Sequence, residues 1–292
     1  MLCGEIMNTN VRNVFTLAQK EFADHLWNPV FMVMLAVFSL VIIACGYEYG
    51  VIEGVFIGTM TVITPGILMG MMMLSHNISL FIPLFGVALS FDALLKEERS
   101  GSLNVLMSHP LYRDNIIAGK MLGSMISLLF VLFISIVLAV GTLMLLIGES
   151  VTGSELVRIA AFFVVTYLYG TIFLGMGLLL SVLLKDPSDS LIYSIVLWLV
   201  FTVAFLSVLA AIVLMLGLSF EEDGTGLGLL TKLSYLSPTY HYQQLLFGVF
   251  DLDSTLSQAF MKFWMNLASL IVTPFLLFVA SFIAFLRKDI TI

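Results

Sequence analysis

The sequence predicts an all-α protein that crosses a membrane six times, and three observations support this prediction. First, 60% of its 292 residues are hydrophobic and only 11% are charged, whereas soluble domains are about half apolar and about a quarter charged. Second, six apolar runs approach the ~20 residues that a helix needs to cross the hydrocarbon core. Third, Lys and Arg concentrate on one side of those runs. This composition excludes a soluble enzyme or a disordered protein. The net charge of −7 excludes a nucleic-acid binder, because it repels phosphate.

The first 29 residues predict an amphipathic helix in the headgroup plane. They lack the apolar core, about 7–15 residues long, of a signal peptide. Instead an apolar stripe at helical spacing opposes a polar flank, and Asn28-Pro29 ends the helix. We interpret residues 1–29 as a cytoplasmic or interfacial helix and residues 30–292 as one membrane domain, with a soluble surface helix as the less favoured alternative. The stripe consists of Val11, Val14, Phe15, Ala18, Phe22 and Leu26, and the flank of Arg12, Asn13, Gln19, Lys20 and Asp24.

Six runs after that helix are predicted to be membrane spans. A further apolar stretch, residues 51–73, is interrupted by glycines and by Pro65, so we expect an external loop or a re-entrant hairpin there. A seventh span in this stretch would place the two termini on opposite sides. The predicted spans are residues 30–47, 74–95, 116–147, 156–184, 191–218 and 263–286.

The positions of the basic residues predict the orientation of these spans. With six spans and the N-terminus inside, nine of the twelve Lys and Arg residues lie on the inner side and three on the outer side. Positive residues are retained on the cytoplasmic side. Both termini are therefore predicted to be cytoplasmic, and the outer face is predicted to be acidic.

Several kinds of active site are not indicated. Spans one, three, five and six contain no ionisable residue away from their ends, which argues against a proton relay. Asp92 and Arg158 lie near span ends, where we expect them to reach water. There is no HExxH motif, and no P-loop surrounds Lys120, so any ATP hydrolysis belongs to a separate polypeptide. The cluster formed by Met69, Met71, Met72, Met73 and His76 has Cu(I)-like donor chemistry, but consecutive helical methionines point to different faces, and we predict no metal site.

The loop between spans two and three contains a short apolar helix outside the membrane. Charged residues lead the chain out of the bilayer, Gly101 permits a tight turn, and three apolar residues then recur at i, i+3 and i+4. A helix of two turns is marginal in water, so this one needs a partner surface. Folding back onto its own chain or onto the headgroups is an equally open alternative. The charged residues are Glu97, Glu98 and Arg99, and the apolar residues are Leu103, Leu106 and Met107.

This loop resembles the signature of ABC type-2 permeases, the membrane subunits of ATP-binding-cassette transporters. The resemblance extends to the N-terminal elbow helix, the six spans, a Tyr235-Leu236-Ser237-Pro238 run before the last span and a basic tail. Asn104 departs from the pattern, where such permeases often carry an acid. The matching run reads Glu98-Arg99-x-Gly101-Ser102-Leu103-x-x-Leu106-x-Ser108-x-Pro110-x-x-Arg113-x-x-Ile116-x-x-Gly119-Lys120.

The resemblance implies that the loop is a coupling helix seated in a groove of a nucleotide-binding subunit. Lys185 and Asp186 would make a second, smaller contact with that subunit. The family usually combines two permeases with two ATPases, so a homodimer is the simplest expectation and a heterodimer the alternative. ATP and Mg would be bound by the ATPase. The permease would lie in the inner or plasma membrane of a prokaryotic cell. The expected coupling residues are Glu97, Glu98, Arg99, Gly101, Leu103, Leu106 and Met107.

The long outer segment, residues 219–262, is implied to form short helices that dip into the membrane and cap an exit path. Its aromatic residues form either an interfacial aromatic belt, the favoured interpretation, or an external gate. Uncharged spans favour export of an apolar or amphipathic substrate, and the acidic outer face also suits an external partner protein. A stand-alone channel or assembly factor whose inner loop binds a non-ATPase partner is the alternative function. The candidate gate residues are Tyr235, Pro238, Tyr240, Tyr242 and Phe247.

Overall fold

A computed structural model describes residues 2–56, 66–96, 113–218 and 225–288 of the chain, and this part contains helices and no strand. The all-α prediction is therefore confirmed. The helices are α1 Leu2–Leu26, α2 Pro29–Phe56, α3 Ile67–Ser90, α4 Arg113–Ile147, α5 Gly153–Leu183, α6 Pro187–Leu199, α7 Phe205–Met215, α8 Thr225–Ser234, α9 Pro238–Phe250, α10 Leu256–Lys262 and α11 Trp264–Arg287.

Six stretches within these helices are long and apolar enough to cross a membrane, which confirms the predicted number of spans. Four of them belong to α2, α3, α4 and α5, the fifth runs through α6 and α7, and the sixth is α11. We call the end where α3 ends, α4 begins and α5 meets α6 the predicted inner end, and the opposite end the predicted outer end. The orientation itself stays a prediction from the basic residues. The span bounds are Pro29–Gly50, Ile67–Ser90, Asp114–Ile147, Gly153–Leu183, Pro187–Met215 and Trp264–Arg287.

The second span begins earlier than predicted, at Ile67, and α2 continues to Phe56. The expected loop or hairpin is therefore wrong for both ends of the stretch 51–73, while residues 57–65 lie outside the described residues. Gly66 is extended and directly precedes α3, so it marks the beginning of a helix. Gly70 lies inside α3, where a Cβ would meet Leu143 of α4. Small residues allow such close packing between membrane helices.

The centre of the bundle is the contact between α3 and α5. A Cβ on Gly86 would lie 2.8 Å from the carbonyl oxygen of Gly170, and a Cβ on Gly170 would lie 2.7 Å from Ile82. The two backbones therefore touch at a point where only glycine fits. Span four, in α5, is the most enclosed, with 61% of its apolar window buried, whereas only 6% of span five is buried. Span five therefore presents its apolar side chains outward.

Helix α1 packs across the first half of α4. Gly119 and Gly123 of α4 are four residues apart and meet Leu17, Ala18 and Glu21 of α1. This spacing places both glycines on one face, which lets the two helices approach closely. The helical part of the N-terminal prediction is confirmed. Its location at the membrane surface stays a prediction.

Span five contains one irregular turn. Asp186 precedes α6 in an extended conformation and Pro187 occupies the first turn, a position that requires no proline N–H donor. Residues Val200–Ala204 then form a π-helical turn, closed by a hydrogen bond from the Phe205 N–H to the Val200 carbonyl. In the following α7, Leu209 and Val213 are the buried side chains.

Candidate functional site

The predicted coupling residues 97–107 lie outside the described residues, so the structure places only the two ends from which this segment departs. One end is residues 91–96, just after α3, and the other is the first turn of α4. Asp114 lies exposed in that first turn. Lys185 and Asp186, the predicted second contact, are exposed at the connection between α5 and α6, on the same end of the bundle.

Serine side chains bind the backbone of residues 89–94 to three other helices. The Ser190 hydroxyl of α6 donates to the Phe91 carbonyl at 2.6 Å, and the Ser181 hydroxyl of α5 accepts from the Leu94 N–H at 3.0 Å. The Ser124 hydroxyl of α4 donates to the Leu89 carbonyl at 3.3 Å. These bonds attach the end of α3 and the turn that follows it to α4, α5 and α6. Sequence reasoning missed these serines, which look like ordinary packing hydroxyls.

A buried ion pair joins α1 to α4 at the same end. The Nζ of Lys120 lies 2.7 Å from the Oε1 of Glu21, and the side chains are 3% and 10% exposed. Removing two charges from water is costly, so such a pair is retained only with close geometry. The sequence carried one signal for it: Glu21 lies three residues after Ala18, on the face of α1 that was predicted to be apolar.

His25 extends this polar contact by one helical turn. Its Nδ1 lies 2.9 Å from the Ser127 hydroxyl of α4. Burial lowers the pKa of His25 below its usual 6.5, while Glu21 opposes that shift. The neutral imidazole is therefore favoured in the folded protein.

At the predicted outer end, Arg158 binds the end of α9. Its Nη1 donates to the carbonyls of Val249 at 2.7 Å and Asp251 at 2.8 Å, and its Nη2 donates to the Ser254 carbonyl at 2.6 Å. Only 8% of Arg158 is exposed. The expectation that it reaches water is wrong, because the unpaired carbonyls at the end of a helix replace the water. Arg158 thus fixes α9 to α5.

Two of the candidate gate residues lie in the core instead of at a surface. Tyr242 is fully buried and stacks on Tyr169 of α5, with ring centroids 4.3 Å apart. Its hydroxyl lies 3.0 Å from that of Thr166, also on α5. Pro238 is buried in the first turn of α9. These contacts dock α9 along α5.

The other three candidate gate residues lie nearer the surface, and two of them, Tyr235 and Tyr240, form an aromatic edge. Tyr235 is 43% exposed and Phe247 57% exposed, and Tyr235 meets the half-buried Tyr240 edge-to-face at 5.3 Å. Beneath them, the Nε2 of His241 lies 2.9 Å from the Tyr235 carbonyl and its Nδ1 lies 2.7 Å from the Oδ1 of Asn266 on α11. His241 thus links this edge to span six.

At this end, a capping box lies at the beginning of α5 and another at the beginning of α10. The Thr152 hydroxyl accepts from the Glu155 N–H while the Glu155 carboxylate accepts from the Thr152 N–H. Thr255 and Gln258 repeat the same exchange before α10. Both boxes satisfy N–H groups that a helix otherwise leaves unpaired.

The methionine cluster is spread over different faces of α3. Met71 is fully buried, whereas Met73 and His76 are exposed. Among the described residues, no three His, Cys, Asp or Glu side chains group together as ligands for a metal ion.

Comparison with known proteins places this helical bundle in a family. Residues 15–290 match the model of the family described as ABC-2 family transporter protein. The chain belongs to this family. Its membership confirms the resemblance seen in the inner loop, and it identifies the chain as a multi-pass membrane subunit of an ABC transporter. The family implies an ATPase partner.

Two relatives of this chain are both named as ABC transporter permeases. A protein of Pseudomonas aeruginosa named probable ABC transporter permease protein NosY is 27% identical over 239 residues, which are 82% of this chain and 82% of the relative. A protein of the same name from Stutzerimonas stutzeri is 24% identical over 245 residues, which are 82% of this chain and 83% of the relative.

Proposed function

We propose that this chain is the permease of an ABC exporter and that a separate ATPase drives it through residues 97–107. ATP and Mg are bound by the ATPase, and this chain catalyses no reaction. Two ATPases act on two permeases, with a second copy of this chain as the simplest partner permease. Both termini lie in the cytoplasm, in the inner or plasma membrane of a prokaryotic cell. The substrate is apolar or amphipathic.

The observation that carries this proposal is the set of serine hydrogen bonds at residues 89–94. Nucleotide binding can shift a membrane protein between two arrangements only if the nucleotide-bound ATPase binds one arrangement more tightly than the other. In the proposed mechanism, the ATPase displaces residues 97–107 and thereby the turn that precedes them. Ser124, Ser181 and Ser190 pass that displacement to three further helices, which the bonds to Leu89, Phe91 and Leu94 support.

A second contact at Lys185 and Asp186 fits the same mechanism. Both residues are exposed, and they lie between Ser181 and Ser190, the two serines that bind residues 91–94. An ATPase that touches both connections therefore acts on a single hydrogen-bonded unit. The expected roles are attachment at Leu103, Leu106 and Met107 and a smaller polar contact at Lys185 and Asp186.

The proposed substrate class is supported by the uncharged middle of the spans and by the aromatic residues on α9 and just before it. Tyr235, Tyr240 and Phe247 act as the external gate in this proposal, and the buried Pro238 and Tyr242 position them from below. Aromatic rings suit an apolar or amphipathic molecule that leaves through the interface. An external protein that binds the acidic outer face is the alternative for this surface.

The coupling proposal is tested with the double substitution Leu103→Asp and Leu106→Asp. We expect tagged protein with both changes to lose copurification of the ATPase, because two carboxylates on the apolar face cannot enter an apolar groove. Leu252→Asp is the matched control: Leu252 is exposed in a predicted outer connection, and the same change there should leave copurification intact. ATPase retention by the double variant at the control level would refute the coupling role and favour a stand-alone membrane protein.

The substrate class is tested with the permease and its ATPase together in nanodiscs. A panel of lipids, amphipathic peptides and hydrophilic solutes is added, and ATP hydrolysis is measured. We expect stimulation by apolar or amphipathic compounds and none by the hydrophilic solutes. Stimulation confined to hydrophilic solutes would contradict the proposed substrate class while leaving the coupling role untouched.

A further inference from the structure

A cavity of about 690 Å³ opens at the predicted inner end, between α1, the beginning of α2, the end of α3 and the beginning of α6. Its walls are apolar over the part that faces the bundle. These walls are formed by Phe31, Met34, Leu84, Leu191 and Ile195. A cavity of this size accommodates the head of a lipid together with the first part of its chains.

The cavity is lined by three acids and three bases together with His25. Two of them, Glu21 and Lys120, form the buried ion pair described above, and we call the other four the rim charges. Lys20 and Asp24 are four residues apart on α1, and Asp92 and Lys96 are four residues apart just after α3, so each side offers one charge of each sign. Among the described residues, Lys120 pairs with Glu21, and none of the four rim charges has an ion-pair partner. The rim is therefore balanced in charge and available to a ligand that carries both signs.

Asp92 is the most enclosed of these four groups. Burial raises the pKa of its carboxyl above the usual 3.8, and the nearby Lys96 and Lys120 oppose that shift. A carboxylate in this position is stabilised by a cation that donates hydrogen bonds to it. A primary ammonium has three donors for this purpose, whereas a quaternary ammonium has none.

We propose that this cavity binds a bilayer lipid with a phosphoethanolamine head, its phosphate between Lys20 and Lys96 and its ammonium between Asp24 and Asp92. The acyl chains follow the apolar wall formed by α2, α3 and α6. The inference goes beyond the proposed function and is independent of ATPase coupling, since the bound lipid is a resident of the permease whether or not an ATPase is attached.

The test measures lipid retained by the purified full-length chain after reconstitution with phosphatidylethanolamine, phosphatidylcholine or phosphatidylglycerol of identical acyl chains. Native mass spectrometry counts lipids per chain. We expect phosphatidylethanolamine to be retained about tenfold better than the other two, the size of effect that one charge-assisted hydrogen bond produces. Equal retention of all three lipids would overturn the proposal.

Two double variants separate the two halves of the head. Asp24→Asn with Asp92→Asn should abolish the preference for ethanolamine over choline, and Lys20→Gln with Lys96→Gln should weaken retention of all three lipids. The matched control is Asp251→Asn with Lys262→Gln, which removes one acid and one base from the 430 Å³ cavity at the other end. If the control variant loses the preference as fully as the first variant does, the lipid binds elsewhere and the proposal is wrong.

Loss of folding is distinguished from loss of the site by Asp92→Asn alone. Because burial disfavours the Asp92 carboxylate, this substitution should leave the thermal unfolding temperature unchanged or raise it while it lowers phosphatidylethanolamine retention. A variant that unfolds like the original chain and still prefers phosphatidylethanolamine as strongly would contradict the assigned ammonium position.

Discussion

The two ends of the helical bundle are held together in different ways. At the predicted outer end, Arg158 binds the carbonyls of Val249 and Asp251 at the end of α9 and the carbonyl of Ser254 just before α10. Two capping boxes satisfy the first N–H groups of α5 and α10. At the predicted inner end, three serine hydroxyls bind the backbone of residues 89–94. The contacts of α1 with α4 at this end join pairs of side chains, Lys120 with Glu21 and His25 with Ser127. A large cavity opens beside them.

This difference separates a fixed contact, that of α9 with α5 at the outer end, from a contact better suited to movement, that of α1 with α4 at the inner end. Backbone carbonyls at a helix terminus are positioned by the helix itself, so a side chain bound to two of them, as Arg158 is, locks two helices together. A pair of side chains can separate and form again with little change of backbone. The contacts of α1 with α4 at the inner end are thus of the kind that exchanges more easily, whereas serine hydroxyls hold the backbone of residues 89–94.

The largest effect is expected when the Arg158 guanidinium at the outer end is removed, which tests directly whether this residue fixes that end. Arg158→Ala leaves three carbonyls near a buried position without their donor, and we expect a loss of about 4 kcal/mol in unfolding free energy. Unfolding of detergent-solubilised protein by SDS measures it. Lys262→Ala, which removes an exposed cation at the same end, is the control and should change little. A small effect of Arg158→Ala would show that the outer end is not fixed by this residue.

The ion pair at the inner end gives the next largest effect. Lys120→Met leaves the Glu21 carboxylate buried without its partner, and we expect a loss of about 3 kcal/mol, measured by the same SDS titration. Adding Glu21→Gln should restore most of that loss, because no unpaired charge remains. If the double variant is as unstable as the sum of the two single variants, the two residues are not coupled, and the proposed nature of the inner end is wrong.

The capping box before α10 provides a smaller test of whether the two ends of the bundle are stabilised independently. Thr255→Ala removes the hydroxyl that accepts from the Gln258 N–H, and an effect of about 1 kcal/mol is expected. Hydrogen exchange should show faster opening of α10 alone, with α1 and α4 unchanged. Ser257→Ala is the comparison variant: Ser257 is exposed in the same turn, and its hydroxyl lies 3.2 Å from that of Thr255 but does not accept from the Gln258 N–H, so a smaller effect is expected. Uniformly faster exchange at both ends would mean that the ends are not independent.

The smallest expected effect is a pH dependence carried by His25. Burial lowers the pKa of His25 in the folded protein, so as pH falls below 6.5 this imidazole binds a proton more readily in the unfolded chain than in the folded one. Stability that is present above pH 6.5 is then progressively lost as pH falls through the folded pKa. The His25→Gln variant should lack this component when unfolding is followed from pH 7.5 to pH 5.0, two values that bracket the usual imidazole pKa of about 6.5. An identical pH dependence in both proteins would contradict it.

The number of spans and the helical class could be predicted because both depend on local properties, namely the length of apolar runs and the positions of Lys and Arg. The beginning of span two could not be predicted in the same way. Gly66 and Gly70 are both breakers in a local interpretation, but Gly70 is tolerated because it packs against Tyr49 and Leu143 of other helices.

The contacts of the candidate site were beyond a local interpretation for a similar reason. Lys120 and Glu21 are separated by 99 residues, and Arg158 and Val249 by 91. Only the packing of the helices brings these residues together. The sequence around an arginine at a span end does not show whether its guanidinium will bind water or the carbonyls at the end of another helix. The coupling residues 97–107 and the gate assignment stay predictions from the resemblance.

The π-helical turn at Val200–Ala204 has a mechanical consequence for span five. Such a turn holds one residue more than an α-helical turn, and each residue contributes about 100° of rotation, so α7 faces a different direction from a straight continuation of α6. If the wide turn shifts along the helix by exchanging one hydrogen-bond partner for the next, Leu209 and Val213 swing around the axis while every amide stays paired. Hydrocarbon offers no replacement partners, which makes a swivel of this kind one of the few ways a span can twist there.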